Sequence, residues 1–204
     1  MGVSAVVVVV AAFLLGSIPF SNLAAKRTKG VDLRDVGTGT VSGTSLYRVA
    51  GFVPLALAGV CDVAKGAGGA LLAGDRPALA AVAGGAAVAG HNWSPFLKGA
   101  GGRGLAPALG ALLVTAWPGF VLLAVGMAAG RVVRQTGIGS FIAETLLTPL
   151  LAIWGGPVGA LAGAAIAVPM LLKRVLGNQP PAGPRARAYA SRLVLDRDPP
   201  PAPT

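Results

Sequence analysis

Apolar residues gather in seven runs, at roughly 3 to 24, 50 to 73, 78 to 97, 104 to 116, 119 to 130, 139 to 154 and 157 to 172, and only short polar breaks separate them. Hydrocarbon offers no partner to a backbone N–H or C=O, so a continuous apolar run of this kind crosses a membrane as a helix. The first three runs approach the roughly 20 residues that a crossing helix needs, and the fourth to sixth are shorter. Composition agrees, because 54% of the 204 residues are hydrophobic and 12% are charged, with a mean hydropathy of +0.72. These values exclude an ordinary soluble core. The expected fold class is an all-α, polytopic membrane helical bundle with about seven transmembrane helices.

Charge fixes the expected topology. Trp117-Pro118-Gly119 could be a turn between two spans or a kink in one long helix. With seven spans, fifteen of the seventeen basic residues fall on one side; Arg76 lies opposite and Lys65 lies inside a span. Merging the fourth and fifth runs would move Arg131 and Arg134 across and spoil that asymmetry. The positive-inside rule then places the N-terminus outside and the C-terminus in the cytoplasm of a multi-pass plasma-membrane protein. The first run resembles a signal-peptide core, but basic residues follow it instead of preceding it, so an uncleaved first helix is expected. Residues 1–178 form the integral membrane domain in this reading. Residues 179–204, "QPPAGPRARAYASRLVLDRDPPPAPT", are rich in proline and arginine and are expected to form a disordered cytoplasmic tail.

The net charge of +10 does not point to nucleic acid, since the cations sit in short clusters between apolar runs and not over one solvated face. Cys61 and His91 are the single cysteine and the single histidine, which removes a disulfide framework and any multi-histidine metal site. No metal or cofactor is expected.

Three constellations could carry chemistry. The loop "VDLRDVGTGTVSGTSLYRVAG", residues 31 to 51, offers backbone N–H groups and hydroxyls at Gly37, Thr38, Gly39, Thr40 and Ser45 between Arg34 and Arg48. Consecutive N–H groups in a glycine-rich turn make a concave anion site, and arginine grips phosphate with two donors. The stretch "GHNWSPFLKGAGGRG", residues 90 to 104, sets Gly102, Arg103 and Gly104 before an apolar helix whose N-terminus favours an anion. His91, at its start, is a candidate general base, a phosphate donor or an interfacial structural residue, and Trp93 and Phe96 read as interfacial anchors. Asp62 and Lys65 share one face of the second span, where they either neutralise each other or line a polar site floor. Arg131, Arg134 and Ser140 in "RVVRQTGIGS" add a further basic entry to a span. Glycine with arginine thus recurs in at least three loops on one side, which points to a phosphorylated substrate at the cytoplasmic surface.

Together these motifs resemble the bacterial acyl-phosphate-dependent glycerol-3-phosphate acyltransferases over roughly residues 12 to 178. "LLGSIPF" at 14 to 20, which contains Ser17, is similar to that family's first-helix signature. The 31 to 51 loop resembles its DLR, GSGN and GATN pattern followed by arginine. "DVAKG" at 62 to 66 resembles DxxKG, "GGRG" resembles GGKG, and "RQTGIGS" at 134 to 140 resembles R-x-x-S-L-x-S. The resemblance implies transfer of an acyl group from acyl phosphate to the 1-hydroxyl of glycerol 3-phosphate, giving lysophosphatidic acid and phosphate in phospholipid synthesis. It implies those two substrates and membrane lipid as partners. By the same resemblance Thr38 takes the place of the loop serine, Arg48 of the phosphate-binding arginine, Arg103 of the GGKG lysine and Ser140 of the later serine. Thr40 and Ser45 stand where the family has asparagines, Gly137 replaces its first S-L-x-S serine, and Pro107 replaces the threonine after GGKG. The residues alone also fit a protein that binds a phosphorylated or lipid ligand without turnover. A small transporter is a third reading, less favoured because its site would lie near the midplane.

Overall fold

In the computed structural model, residues 4–181 and 185–197 are described, and they contain helices, turns and no strand. The helices are α1 (Ala5–Ser17), α2 (Phe20–Lys29), α3 (Gly43–Ala50), α4 (Phe52–Leu71), α5 (Pro77–Asn92), α6 (Leu105–Thr115), α7 (Trp117–Val132), α8 (Thr136–Leu176) and α9 (Arg185–Leu195), with short 3-10 turns at Leu33–Asp35 and Pro95–Leu97. Three stretches are long and apolar enough to cross a membrane, Ala5–Lys29, Phe52–Leu71 and Thr136–Leu176, while α6 and α7 are apolar but shorter. Large apolar side chains face outward, with Val6, Phe52, Val60 and Ile153 each at least two-thirds exposed. The inner surface is instead alanine and glycine around a core of Val88, Leu112, Leu123, Leu147, Leu151, Ile166 and Met170.

Lipid is as apolar as leucine, so burying leucine drives membrane helices together only weakly; close backbone approach does more, and it needs small residues. A Cβ built on Gly16 of α1 would overlap the backbone of Ala87 in α5, and one on Gly90 that of Phe13, so these helices lie antiparallel in direct backbone contact. Gly66 of α4 meets Pro107 of α6 in the same way, and Gly110 meets Val63.

The breaks between the expected runs have identifiable causes. Ala116, with φ −163° and ψ 79°, separates α6 from α7, as expected from Trp117-Pro118-Gly119. α8 is a hairpin of two arms and not one rod. It is non-helical at Gly155 and at Gly156, whose φ of 59° and ψ of −143° favour glycine. Gly159 then lies against Leu151 and Gly163 against Thr148 as the second arm returns along the first. A buried ion pair ties the arms, Arg174 donating to Glu144 Oε2 at 2.8 Å and Oε1 at 2.9 Å.

Three expectations need correction. The first run is two helices, because Pro19 has no N–H to donate and Ile18 turns extended, with ψ 118°. The carbonyls freed there find partners elsewhere: Ser94 Oγ donates to Ser17 O at 2.6 Å and Lys65 Nζ to Ile18 O at 2.7 Å. The third run stops at Asn92, and Ser94–Lys98 turn back on themselves. Finally, part of the tail expected to be disordered is helix α9, which buries Ala188 and Arg192. Arg192 Nη1 donates to the carbonyls of Leu176 and Gln179, and its Nη2 to that of Pro180, which docks α9 on the end of α8. Residues 182–184 and 198–204, also expected to be disordered, lie outside the described residues.

Two stability measurements check this packing. Gly66→Val and Gly110→Val are each expected to lower the thermal midpoint in detergent, because overpacking costs about 1–3 kcal/mol or more where backbone must move. Gly59→Val, at a position with open space around it, should leave the midpoint within a few degrees of wild type, about what a neutral exposed change gives. Lys65→Met leaves the Asp62 carboxylate without its cation and removes one of the two hydrogen bonds to Ile18 O, at a cost of about 3–5 kcal/mol, and adding Asp62→Asn is expected to recover part of it.

Candidate active site

The site end of the bundle starts where α2 stops at Gly30. Asn22 Oδ1 accepts from Leu33 N at 2.8 Å, pulling the following turn onto the helix and burying Leu33. Asp32 accepts from Arg34 Nε at 3.0 Å and Nη2 at 2.7 Å, and Lys26 Nζ lies 2.9 Å from its carboxylate. The Arg34 guanidinium, helped by Lys26, holds the Asp32 carboxyl well below the usual carboxylate range, and the same hydrogen bonds raise the Arg34 pKa. Arg34 is therefore engaged by Asp32, and it lines neither of the cavities described below.

Past this turn the hydroxyls organise the loop. Thr38 and Thr40 share a hydrogen bond of 2.9 Å, and Ser45 Oγ donates to Thr40 O at 2.9 Å. Ser42 caps α3 by accepting from Ser45 N at 3.3 Å. Ser45 thus holds the loop's shape. Gly37 is exposed at the loop tip, while Gly39, with φ +67°, is buried beside the Gln179 side chain. In α3 Leu46 is fully buried, and a residue two positions later lies about 200° further round the helix. Arg48 accordingly projects outward, is exposed, and lines neither of the cavities described below.

The second loop is drawn against the first. Val41 N donates to Gly101 O at 3.1 Å, and Gly102 N donates to His91 O at 3.2 Å. A Cβ on Gly102 would overlap the His91 ring and come within 2.7 Å of Val41 O, so glycine is required for this approach and His91 reaches the edge of the first loop. Gly104, with φ +80°, turns the chain into α6 beside Asn92. Arg103 reaches away from His91: Nη1 donates to Lys173 O at 2.6 Å, and Nε lies 2.8 Å from Asp196 Oδ1. Burial lowers the Arg103 pKa and raises that of Asp196, and their mutual attraction opposes both shifts.

Two neighbouring cavities result, with the Gly101–Arg103 segment between them. One is lined by Ser17, Ser21, Asp62, Lys65, His91, Ser94 and Gly102 among others. Here Lys65 Nζ is 2.8 Å and His91 Nδ1 3.7 Å from Asp62 Oδ1. The other is lined by Thr38, Thr40, Arg103, Asn178, Gln179, Arg192, Asp196 and Arg197. It brings together Thr38 and Arg103, sixty-five positions apart in the sequence. Ser140 is not part of it. Its hydroxyl donates to Thr136 O at 2.7 Å and accepts from Arg174 Nη2, within the buried network of the α8 hairpin. Asn178, Ser94, Arg192 and Asp196, which also line these cavities, carry no motif that marks them in the sequence. The last two lie in the proline- and arginine-rich tail, where the apolar spacing of "RARAYASRLVL" was the available signal. Trp93, expected as an interfacial anchor, carries Lys173 Nζ 5.4 Å from its ring.

Comparison with known proteins bears on what this end of the bundle is. The family model described as glycerol-3-phosphate acyltransferase matches residues 6–177. A glycerol-3-phosphate acyltransferase of Parasynechococcus marenigrum is 34% identical over 85% of this chain and 88% of its own length. One from Shouchella clausii is 35% identical over 75% of this chain and 77% of its own. Among solved structures, PlsY (YgiH), an integral membrane glycerol 3-phosphate acyltransferase in its glycerol 3-phosphate form, superposes with a TM-score of 0.75 at 29% identity, over 96% of this chain and 94% of that one. Its lysophosphatidic acid form gives 0.73 over 84% and 88%. The chain belongs to the glycerol-3-phosphate acyltransferase family.

Proposed function

We propose that the protein transfers an acyl group from acyl phosphate to the 1-hydroxyl of glycerol 3-phosphate, releasing lysophosphatidic acid and phosphate. The observation that carries the reading is the meeting of Thr38 and Arg103 in one cavity, at the positions where the family has its loop serine and its GGKG lysine. In the reaction the hydroxyl oxygen bonds to the acyl carbon and the bond from that carbon to the phosphate oxygen breaks. The hydroxyl proton ends on the departing phosphate, which leaves as hydrogen phosphate. Both substrates carry phosphate and the carbonyl oxygen gains charge, so the chemistry calls for fixed cations and donors. Arg103 supplies the cation, anchored on Lys173 O and Asp196, and the Thr38 and Thr40 hydroxyls, which border the same cavity, supply donors. Acyl phosphate is already activated, so placement and charge neutralisation can provide much of the rate.

We read the helices as seven spans of the plasma membrane, with the N-terminus outside and the site at the cytoplasmic face. Support comes from the fifteen basic residues that this topology gathers on one side. A second reading, binding of a phosphorylated or lipid ligand without turnover, draws on the Asp196 carboxylate already paired with Arg103.

Protein in lipid nanodiscs is expected to release phosphate from palmitoyl phosphate only when glycerol 3-phosphate is added. Arg103→Ala should lower kcat/KM by about a hundredfold, the usual scale for losing one such charged donor, and Arg48→Ala by less. Glycerol 3-phosphate binding with no lysophosphatidic acid formed would favour the second reading. For topology, the Cys61→Ser background carrying Asp75→Cys should react with an impermeant thiol reagent from outside intact cells, and that carrying Lys98→Cys should not; the reverse pattern overturns the orientation.

A further inference from the structure

We propose that Asn178 is a positioning residue, the clamp that holds the Thr38 loop and the Arg103 loop at the spacing an anion needs; this rests on the phosphate-site reading above. Asn178 stands just past α8, where Gly177, with φ 63° and ψ −161°, turns the chain off the helix. Its Nδ2 donates to Gly39 O at 3.0 Å and to Gly101 O at 2.8 Å, and its Oδ1 accepts from Gly101 N at 3.2 Å. The orientation of the amide is forced: flipped, it would set Oδ1 against two carbonyls and NH₂ against an N–H.

The three bonds use both amide hydrogens and join segments that the sequence separates by more than sixty residues. Thr38 immediately precedes one clamped residue and Arg103 lies two past the other, and both line the cavity that Asn178 itself borders. One direct main-chain bond, from Val41 N, also falls on Gly101 O. The side chain therefore adds a second tie, at Gly39, and fixes the loops' angle as well as their separation. With its donors spent on the two backbones, the amide acts through the loops and not on the substrate. Its neighbour Gln179 is exposed and lies against Gly39, so the chain after α8 forms the third side of the cavity.

The test uses the full chain in nanodiscs, with inorganic phosphate as probe, read by hydrogen–deuterium exchange and by phosphate-dependent shift of the thermal midpoint. For Asn178→Ala, peptides covering 37–41 and 99–103 should lose protection together while the spans do not. Phosphate affinity should fall about tenfold, less than the full worth of the three hydrogen bonds removed, because the amide acts on the anion only through the loops. Asn178→Gln, which keeps the amide on a longer stem, should give intermediate affinity, and it carries the test if the alanine variant does not fold. Loosening of one loop alone, or of neither, overturns the clamp, as does wild-type phosphate affinity in either variant. If the wild type itself shows no phosphate binding, the phosphate-site reading falls, and coupled or uncoupled exchange of the two loops still decides the clamp.

Discussion

Direct backbone contact between helices is the constraint on which the remainder of the structure depends. In hydrocarbon there is little gain in hiding one apolar side chain behind another, so the bundle is held where side chains are missing. Gly16 and Gly90 set α1 on α5, Gly66 and Gly110 set α4 on α6, and Gly159 and Gly163 let the α8 hairpin close on itself. With the helices this near, their loops emerge close together at the site end. A Cβ at any of these positions would push apart two backbones, and with them the loops they carry.

Polar groups inside the bundle serve the breaks that shape it. Pro19 interrupts the first helix and frees two carbonyls, which Ser94 and Lys65 take up. Asp62 then neutralises Lys65 at 2.8 Å. Removing two charges from water costs several kcal/mol for each ion, and close pairing with further hydrogen bonds offsets it. The same logic holds for Arg174, whose guanidinium reaches Glu144, Ser140 and the Gly137 and Leu193 carbonyls. Ser140 is therefore a hydroxyl of the scaffold in this arrangement, and the hydroxyls bordering the Arg103 cavity are Thr38 and Thr40.

Much of the fold was legible along the chain. The apolar runs became helices, and the breaks at Trp117-Pro118-Gly119 and Gly155-Gly156 fell where Pro and Gly stand. The site was legible in part. Thr38 and Arg103 meet, and Ser17, Asp62, Lys65, His91 and Gly102 share the neighbouring cavity. Arg34 and Arg48 read alike as free cations in a glycine-rich loop, yet Asp32 engages one and helical register turns the other outward. A local motif names a residue's type, whereas its availability depends on what else lies within a few ångströms. The tail misled for a related reason: its composition lacks enough apolar surface to fold alone, but α9 folds against a surface that α8 already provides.

The sequence by itself determined the class of structure, where most of the apolar helices lie and the residue types able to hold a phosphate, because hydropathy and turn chemistry act within a few residues of one another. Only the tertiary structure decided which of those residues face a common space. The pairing of Gly39 with Gly101 through Asn178, and of Arg103 with Asp196, joins segments far apart in the chain. Such pairings follow from how closely the helices approach, a property of the assembled bundle that no single segment carries.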